Sequence, residues 1–450
     1  MASIPGNSGD KGVSADASSA EAGWPISRIE IEIEIQIGIG MKSGLQCETP
    51  DFTGPPTPSN RKRPSFATSG TGTQASLSPE SPEAAGLYVH VPFCSGKCAY
   101  CDFYSITDLA RVEDWLKAVI REARLAGPAF DRFDTIYLGG GTPSILGERV
   151  LTRLLEGLRR ELRFTSKPEI TLEANPENVH CGSLAAFRRA GIHRMSLGIQ
   201  SLDSETLRVL GRRHTAGRAE QALKEALDAG FVSVGADLIY GVPGQTPSRW
   251  MEGLESVLRI GPHHISCYEL TLSPHTALGR RHATGRFPLP DDDTLTALFL
   301  QTSRCLQREG YVHYEVSNYA RPGHESRHNR KYWRRVPYLG LGPAAHSFRP
   351  PTRWWNPHSV DTYCNRLARN RRPEEGRETL TEDQEVLERL GLGFRTREGV
   401  DVSDPSLGVQ ADRLATELEQ AGLVLRRGSR VCATIRGYLV ADSLPLLFMA

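Results

Sequence analysis

The stretch HVPFCSGKCAYCDFYS, His90 to Ser105, places Cys94, Cys98 and Cys101 within eight residues and offers no fourth cysteine nearby. Three thiolates in a CxxxCxxC spacing can grip a metal ion or three irons of a cubane cluster. A structural zinc site usually takes four protein ligands, commonly from two paired knuckles, so zinc here would have to borrow a distant His or Cys. An iron–sulfur cluster tolerates one iron without a protein ligand better, because an external molecule can occupy that corner.

The remaining cysteines, Cys47, Cys181, Cys267, Cys305, Cys364 and Cys432, are scattered singly, the pattern of ordinary thiols in a reducing compartment. With 450 residues the chain can bury a full core without disulfides. A net charge of +1 with mixed signs gives neither a nucleic-acid footprint nor a polybasic membrane patch. No apolar run reaches the roughly 18 residues that a membrane span needs.

Residues 1–85 are rich in Ser, Gly, Pro and Thr and are expected to be a disordered arm. Within them IEIEIEIQIGIG, Ile29–Gly40, alternates like a strand with no evident partner. The arm carries six Lys/Arg against ten Asp/Glu, unlike an acid-poor transit peptide, and Met41 is a second candidate start.

From Leu87 onward, short apolar runs alternate with helical patterns. The runs are Leu87–Phe93, Thr135–Gly141, Glu169–Pro176, Arg194–Ser201, Val234–Gly241 and His264–Thr271. Between them, Arg149–Leu162 repeats leucines in helical register, and Pro247–Arg259 begins with Thr246 as N-cap and Pro247 at the first helical position. Six such repeats imply an α/β fold with parallel strands and right-handed crossovers. Glu173, Gln200, Asp237 and the GGGTPS turn (Gly139–Ser144) fall at expected strand ends, which favours a barrel-like sheet with its site at the carboxyl edge. The alternation stops after 272. Residues 273–375 read as an extension, and 376–450 as a small C-terminal α+β, winged-helix-like domain with helices at Glu382–Leu392 and Gln410–Ala421.

The motif set resembles the radical S-adenosylmethionine enzymes of the oxygen-independent coproporphyrinogen III oxidase family, and most closely its heme-chaperone branch. The resemblance covers the chain from Tyr88 to the C-terminus and implies a partial (β/α)6 barrel. It implies that Cys94, Cys98 and Cys101 hold a [4Fe-4S] cluster whose fourth iron takes the amino and carboxylate groups of S-adenosylmethionine. It also implies cofactor contacts for Tyr88, Tyr100, the glycine motif Gly140, Gly141 and Thr142, and the polar residues Glu173, Gln200, Arg212 and Asp237. Arg212 suits a carboxylate, since a guanidinium can fork onto one.

Phe103 stands where the oxidases carry a further cysteine, which weighs against propionate decarboxylation. HNRKYW (His328–Trp333) fits the HNxxYW pattern associated with heme in the chaperone branch, with His328 as the expected iron ligand; His346 reads as structural. The resemblance therefore implies a heme carrier that serves acceptors such as respiratory cytochromes. It also implies an electron donor such as a flavodoxin, a homodimer, and a cytoplasmic location with peripheral contact at the inner membrane. The rival activity is coproporphyrinogen III dehydrogenation, and a third reading is a zinc-bound or cluster-free remnant.

Overall fold

The computed structural model describes residues 83–449, so the alternating Ile29–Gly40 stretch and nearly all of the leading arm lie outside the described residues. Six parallel strands stand in sequence order: β1 (Ala85–Val91), β2 (Phe133–Gly140), β3 (Phe164–Ala174), β4 (Arg194–Gln200), β5 (Ser233–Tyr240) and β6 (His264–Glu269). Each is joined to the next by a helical crossover, as the alternation of the sequence requires. On β1, Leu87, Val89 and Val91 are fully buried, while Tyr88 and His90 alternate onto the opposite face.

The helices form where caps and apolar stripes coincide. Gly147–Glu161 buries Leu151, Leu154, Leu155 and Leu158, one or two turns of spacing apart. Pro247–Ile260 starts at Thr246, whose hydroxyl accepts the Arg249 N–H at 3.3 Å, and it buries Trp250, Leu254 and Val257. Among the described residues no helix is long and apolar enough to cross a membrane.

The sheet stays open, and the extension divides between its two edges. β7 (Val312–Glu315) and β8 (Asn318–Ala320) form a hairpin that pairs antiparallel with β6. β9 (Tyr338–Leu341) returns to the far edge and lies parallel to β1; β10 (His346–Arg349), β11 (Thr352–Trp355) and β12 (Gly376–Thr379) follow antiparallel, giving twelve strands. β12 therefore belongs to the main sheet. The helix Glu382–Phe394 opens a separate small core of Leu390, Phe394, Val400, Ala415, Val424 and Val431. Three short strands complete it: β13 (Val400–Asp401), β14 (Val424–Arg427) and β15 (Arg430–Ala433), in the order 13-15-14.

A buried carboxyl fastens the returning edge. Glu122, on the helix Val112–Ala126, is 3% exposed. It accepts the Gly342 N–H at 2.9 Å, the Tyr363 hydroxyl at 2.5 Å and the Asn356 amide at 2.7 Å. Gly342 sits at φ 102°, and a Cβ there would come within 2.5 Å of the His90 carbonyl, so only glycine lets the chain pass against β1. Burial raises Glu122 from 4.5 to about 7, despite the three donors that favour its charged form. A carboxyl held more tightly by its proton in the folded state stabilises the fold fully below 4.5 and loses that contribution as pH rises through about 7. Urea midpoints compared across that window should fall less in Glu122→Gln than in the wild type. Glu122→Ala should lose about 2–4 kcal/mol at any pH, because three buried donors are left without an acceptor; equal slopes and a neutral alanine would contradict the network.

Candidate cofactor-binding site

The cysteines lie on the loop that leaves β1, at the carboxyl edge of the sheet. Its base is closed by Cys94 N–H to Ile106 O at 2.9 Å and Ile106 N–H to Pro92 O at 2.7 Å. Its tip is held from the far side by three contacts: Ala99 N–H donates to Leu210 O at 3.2 Å, Leu278 N–H to Ala99 O at 2.7 Å, and Arg213 Nη1 to Ser95 O at 2.7 Å. The glycine turn after β2 clamps the loop from the near side. Gly141 N–H donates to Val91 O at 2.8 Å and Thr142 N–H to Phe93 O at 2.7 Å. A Cβ on Gly141 would stand 2.7 Å from Phe93 O, and one on Gly140 (φ 108°) would stand 2.6 Å from the His90 ring. The missing side chains thus admit β1 and its loop, a close approach of protein to protein.

A polar chain runs along the cysteines. Thr142 Oγ1 donates to Cys94 Sγ at 3.5 Å and accepts from Asn175 Nδ2 at 3.0 Å. Arg212 Nη2 donates to Asn175 Oδ1 at 2.6 Å and to Gly198 O at 2.9 Å, and Nη1 donates to Cys98 Sγ at 3.3 Å. The Arg212 Nε is buried with no partner among the described residues, a donor left over beside the thiols. Asn175 was not singled out from the sequence, although it stands inside the LEANP motif; a lone amide carries no periodic signal.

The other expected residues divide between this edge and the interior of the sheet. Gln200 closes β4 at φ 63° and is buried, and Tyr100 is partly buried beside Arg212, desolvation holding its hydroxyl protonated. Tyr88 shares a 3.1 Å hydrogen bond with His90 Nδ1 and stacks on Tyr137 at 6.2 Å. Glu173 accepts from the Tyr137 hydroxyl at 2.8 Å and the Gly140 N–H at 3.1 Å, and burial, with Asp237 nearby, lifts it to about 7. Asp237 does not end its strand: β5 continues to Tyr240, and its carboxylate is taken by Ser196 at 2.7 Å and Ser266 at 2.6 Å.

HNRKYW lies on a short helix, Arg327–Trp333, capped by Ser326. Its His328 and Lys331 are each 1% exposed. Both lie at the amino ends of β1 to β3: His328 N–H donates to Glu169 at 3.3 Å, and a Cβ on Gly86 would meet the His328 ring at 3.2 Å. From Gly86 to Val91 the strand rises about 16 Å, so His328 and the cysteines occupy opposite ends of the sheet. Both ring nitrogens are engaged, Nδ1 with Thr135 at 2.8 Å and Nε2 with Tyr332 at 2.8 Å, and burial lowers the ring to about 3. Lys331 reaches Asp134 at 2.9 Å and Glu83 at 3.1 Å.

Comparison with known proteins matches residues 88–257 to the radical SAM superfamily. The chain is 38% identical over 373 residues to the heme chaperone HemW of Mycobacterium tuberculosis, covering 82% of this chain and 95% of that protein. The chain belongs to the HemW family. It is also 34% identical to the mitochondrial radical S-adenosyl methionine domain-containing protein 1 of Bos taurus, over 87% of this chain and 92% of the relative. The coproporphyrinogen III oxidase HemN of Escherichia coli shares the fold, with a TM-score of 0.71 at 24% identity over 82% of this chain and 91% of that one.

Membership in the superfamily implies a [4Fe-4S] cluster and S-adenosylmethionine, and the donor set fits both. Among the described residues no three His, Cys, Asp or Glu side chains converge on a single ion position. A cubane needs no such convergence, since it takes one thiolate per iron. Hydrogen bonds to two of the three sulfurs and the unpaired Arg212 N–H suit a negatively charged cluster and a carboxylate beside it. Asn175→Leu removes the bridge that aims Arg212. It should keep the iron content of the wild type and weaken S-adenosylmethionine binding about tenfold in anaerobic calorimetry; unchanged affinity would separate Asn175 from the cofactor.

Proposed function

We propose that this protein is a heme chaperone that binds heme and delivers it to acceptor proteins, with the cluster and S-adenosylmethionine as resident cofactors. The observation that carries the reading is the 38% identity to a heme chaperone along 95% of its length. The bound group supplies a low-potential electron at the sulfonium of S-adenosylmethionine. The chain's own part is to hold and shield. Cys94, Cys98 and Cys101 present the thiolates, Thr142 and Arg212 donate to sulfur, and the clamp between the glycine turn and β1 fixes the loop.

Respiratory cytochromes as acceptors, a flavodoxin-type donor, a homodimer and a cytoplasmic protein visiting the inner membrane belong to the same proposal. Iron ligation by His328 belongs to it with a condition attached. The ring must exchange Thr135 or Tyr332 for iron, because neither nitrogen is free in this fold. Phe103, 61% exposed beside Cys101, occupies the position of the extra cysteine of the oxidases and supports carriage over decarboxylation.

Incubation with coproporphyrinogen III, reductant and S-adenosylmethionine should therefore yield no protoporphyrinogen, while heme titration should give a saturable Soret change. Formation of protoporphyrinogen would overturn the chaperone reading. In His328→Ala the Soret band should shift and heme affinity fall; a spectrum identical to wild type would remove His328 from the heme.

A further inference from the structure

The helix Arg327–Trp333 has two working sides. His328 and Lys331, three residues apart, face the sheet; Arg330, Trp333 and Arg334, three and four apart, line a cavity of about 490 Å³ on the other side. β7, Glu325, the turn 396–398 and the small C-terminal sheet supply the remaining walls, with Tyr314 and Cys432 as buried surfaces. The volume is that of a cofactor-sized ligand.

Its charge is one-sided, with five arginines against two glutamates in the lining. Glu398 is already committed. It takes Arg334 at 2.7 Å and also Arg330, and these bonds outweigh burial and hold its carboxyl down at about 2. Arg430 donates to two backbone carbonyls, Glu398 O at 2.8 Å and Gly399 O at 2.6 Å. Arg397 and Arg427 are left over: among the described residues neither has an ion pair or a side-chain hydrogen bond. Arg427 even stands directly opposite Arg430 across the β14–β15 hairpin, an arrangement that costs stability. Two exposed guanidiniums without an ion pair, a half-buried tryptophan whose indole N–H has no partner among the described residues, and a half-open cavity describe a receptor for the anionic edge of a flat molecule.

Resting on the chaperone reading, we propose that this cavity seats the carboxylate edge of heme, with Arg397 and Arg427 forking onto the two propionates and Trp333 covering the adjoining macrocycle. The pocket lies on the same short helix as His328 but on its opposite side, so the carboxylate contacts do not depend on the imidazole.

The test is a heme titration of the full, cluster-loaded chain, run beside heme dimethyl ester, in which both carboxylates are blocked. Wild type should prefer heme over the ester by at least about tenfold, since charged hydrogen bonds are lost on esterification. Arg397→Glu/Arg427→Glu should lose that preference and bind heme correspondingly more weakly, with cluster absorbance and urea midpoint as controls for folding. Arg397→Gln/Arg427→Gln gives the same reading if charge reversal disturbs the fold. His328→Ala should retain the preference, because it leaves the carboxylate contacts in place. Equal wild-type affinity for heme and ester, or a double variant that binds heme like wild type, would overturn the pocket while leaving the chaperone reading intact. No heme binding by the wild type would overturn both.

Discussion

Two backbone hydrogen bonds, Gly141 N–H to Val91 O and Thr142 N–H to Phe93 O, join the turn after β2 to the loop that carries the cysteines. They form only because neither Gly140 nor Gly141 has a side chain to hold the strands' ends apart. With that junction made, Thr142 reaches Cys94, Asn175 reaches Thr142, and Arg212 closes the chain on Cys98. A loop of three thiols would otherwise be a mobile chelator. Clamped from both sides, it is ordered by the fold itself.

The sheet separates two chemistries along its strands. Its carboxyl edge gathers sulfur, guanidinium and glycine; its amino edge is stopped by the helix Arg327–Trp333, whose imidazole and ammonium groups are satisfied by Thr135, Tyr332, Asp134 and Glu83. Between them the interior is lined by Tyr88, Tyr137, Glu173 and Asp237, each bonded to a neighbour within the protein. The rear of the same helix, with Trp333 and two arginines, meets the C-terminal unit.

The six parallel strands were legible because buried parallel strands read as near-continuous apolar runs, each within a few residues of its observed span. Thr246 with Pro247, and the leucines of Gly147–Glu161, marked helices by capping and period. Legibility failed where elements were short or polar. β7 to β12 are three or four residues each, too brief for alternation to show, so their division between both edges of the sheet could not be read. The helix Arg327–Trp333 buries a histidine and a lysine instead of an apolar stripe, which makes it look like a loop. Asp237 is internal because its run continues through Leu238, Ile239 and Tyr240 into a glycine turn, so a polar residue inside an apolar run is no marker of a strand end. The cysteine spacing stood out without the fold, because three thiols within eight residues have few ordinary structural reasons to lie so close together.

We propose that one corner of the cluster belongs to a small molecule and not to the polypeptide. Electron paramagnetic resonance of the anaerobically reconstituted, reduced chain tests it most directly. Adding S-adenosylmethionine should shift the cluster signal, because the cofactor enters the coordination of one iron; a signal indifferent to S-adenosylmethionine, or a colourless protein carrying zinc, would contradict the account.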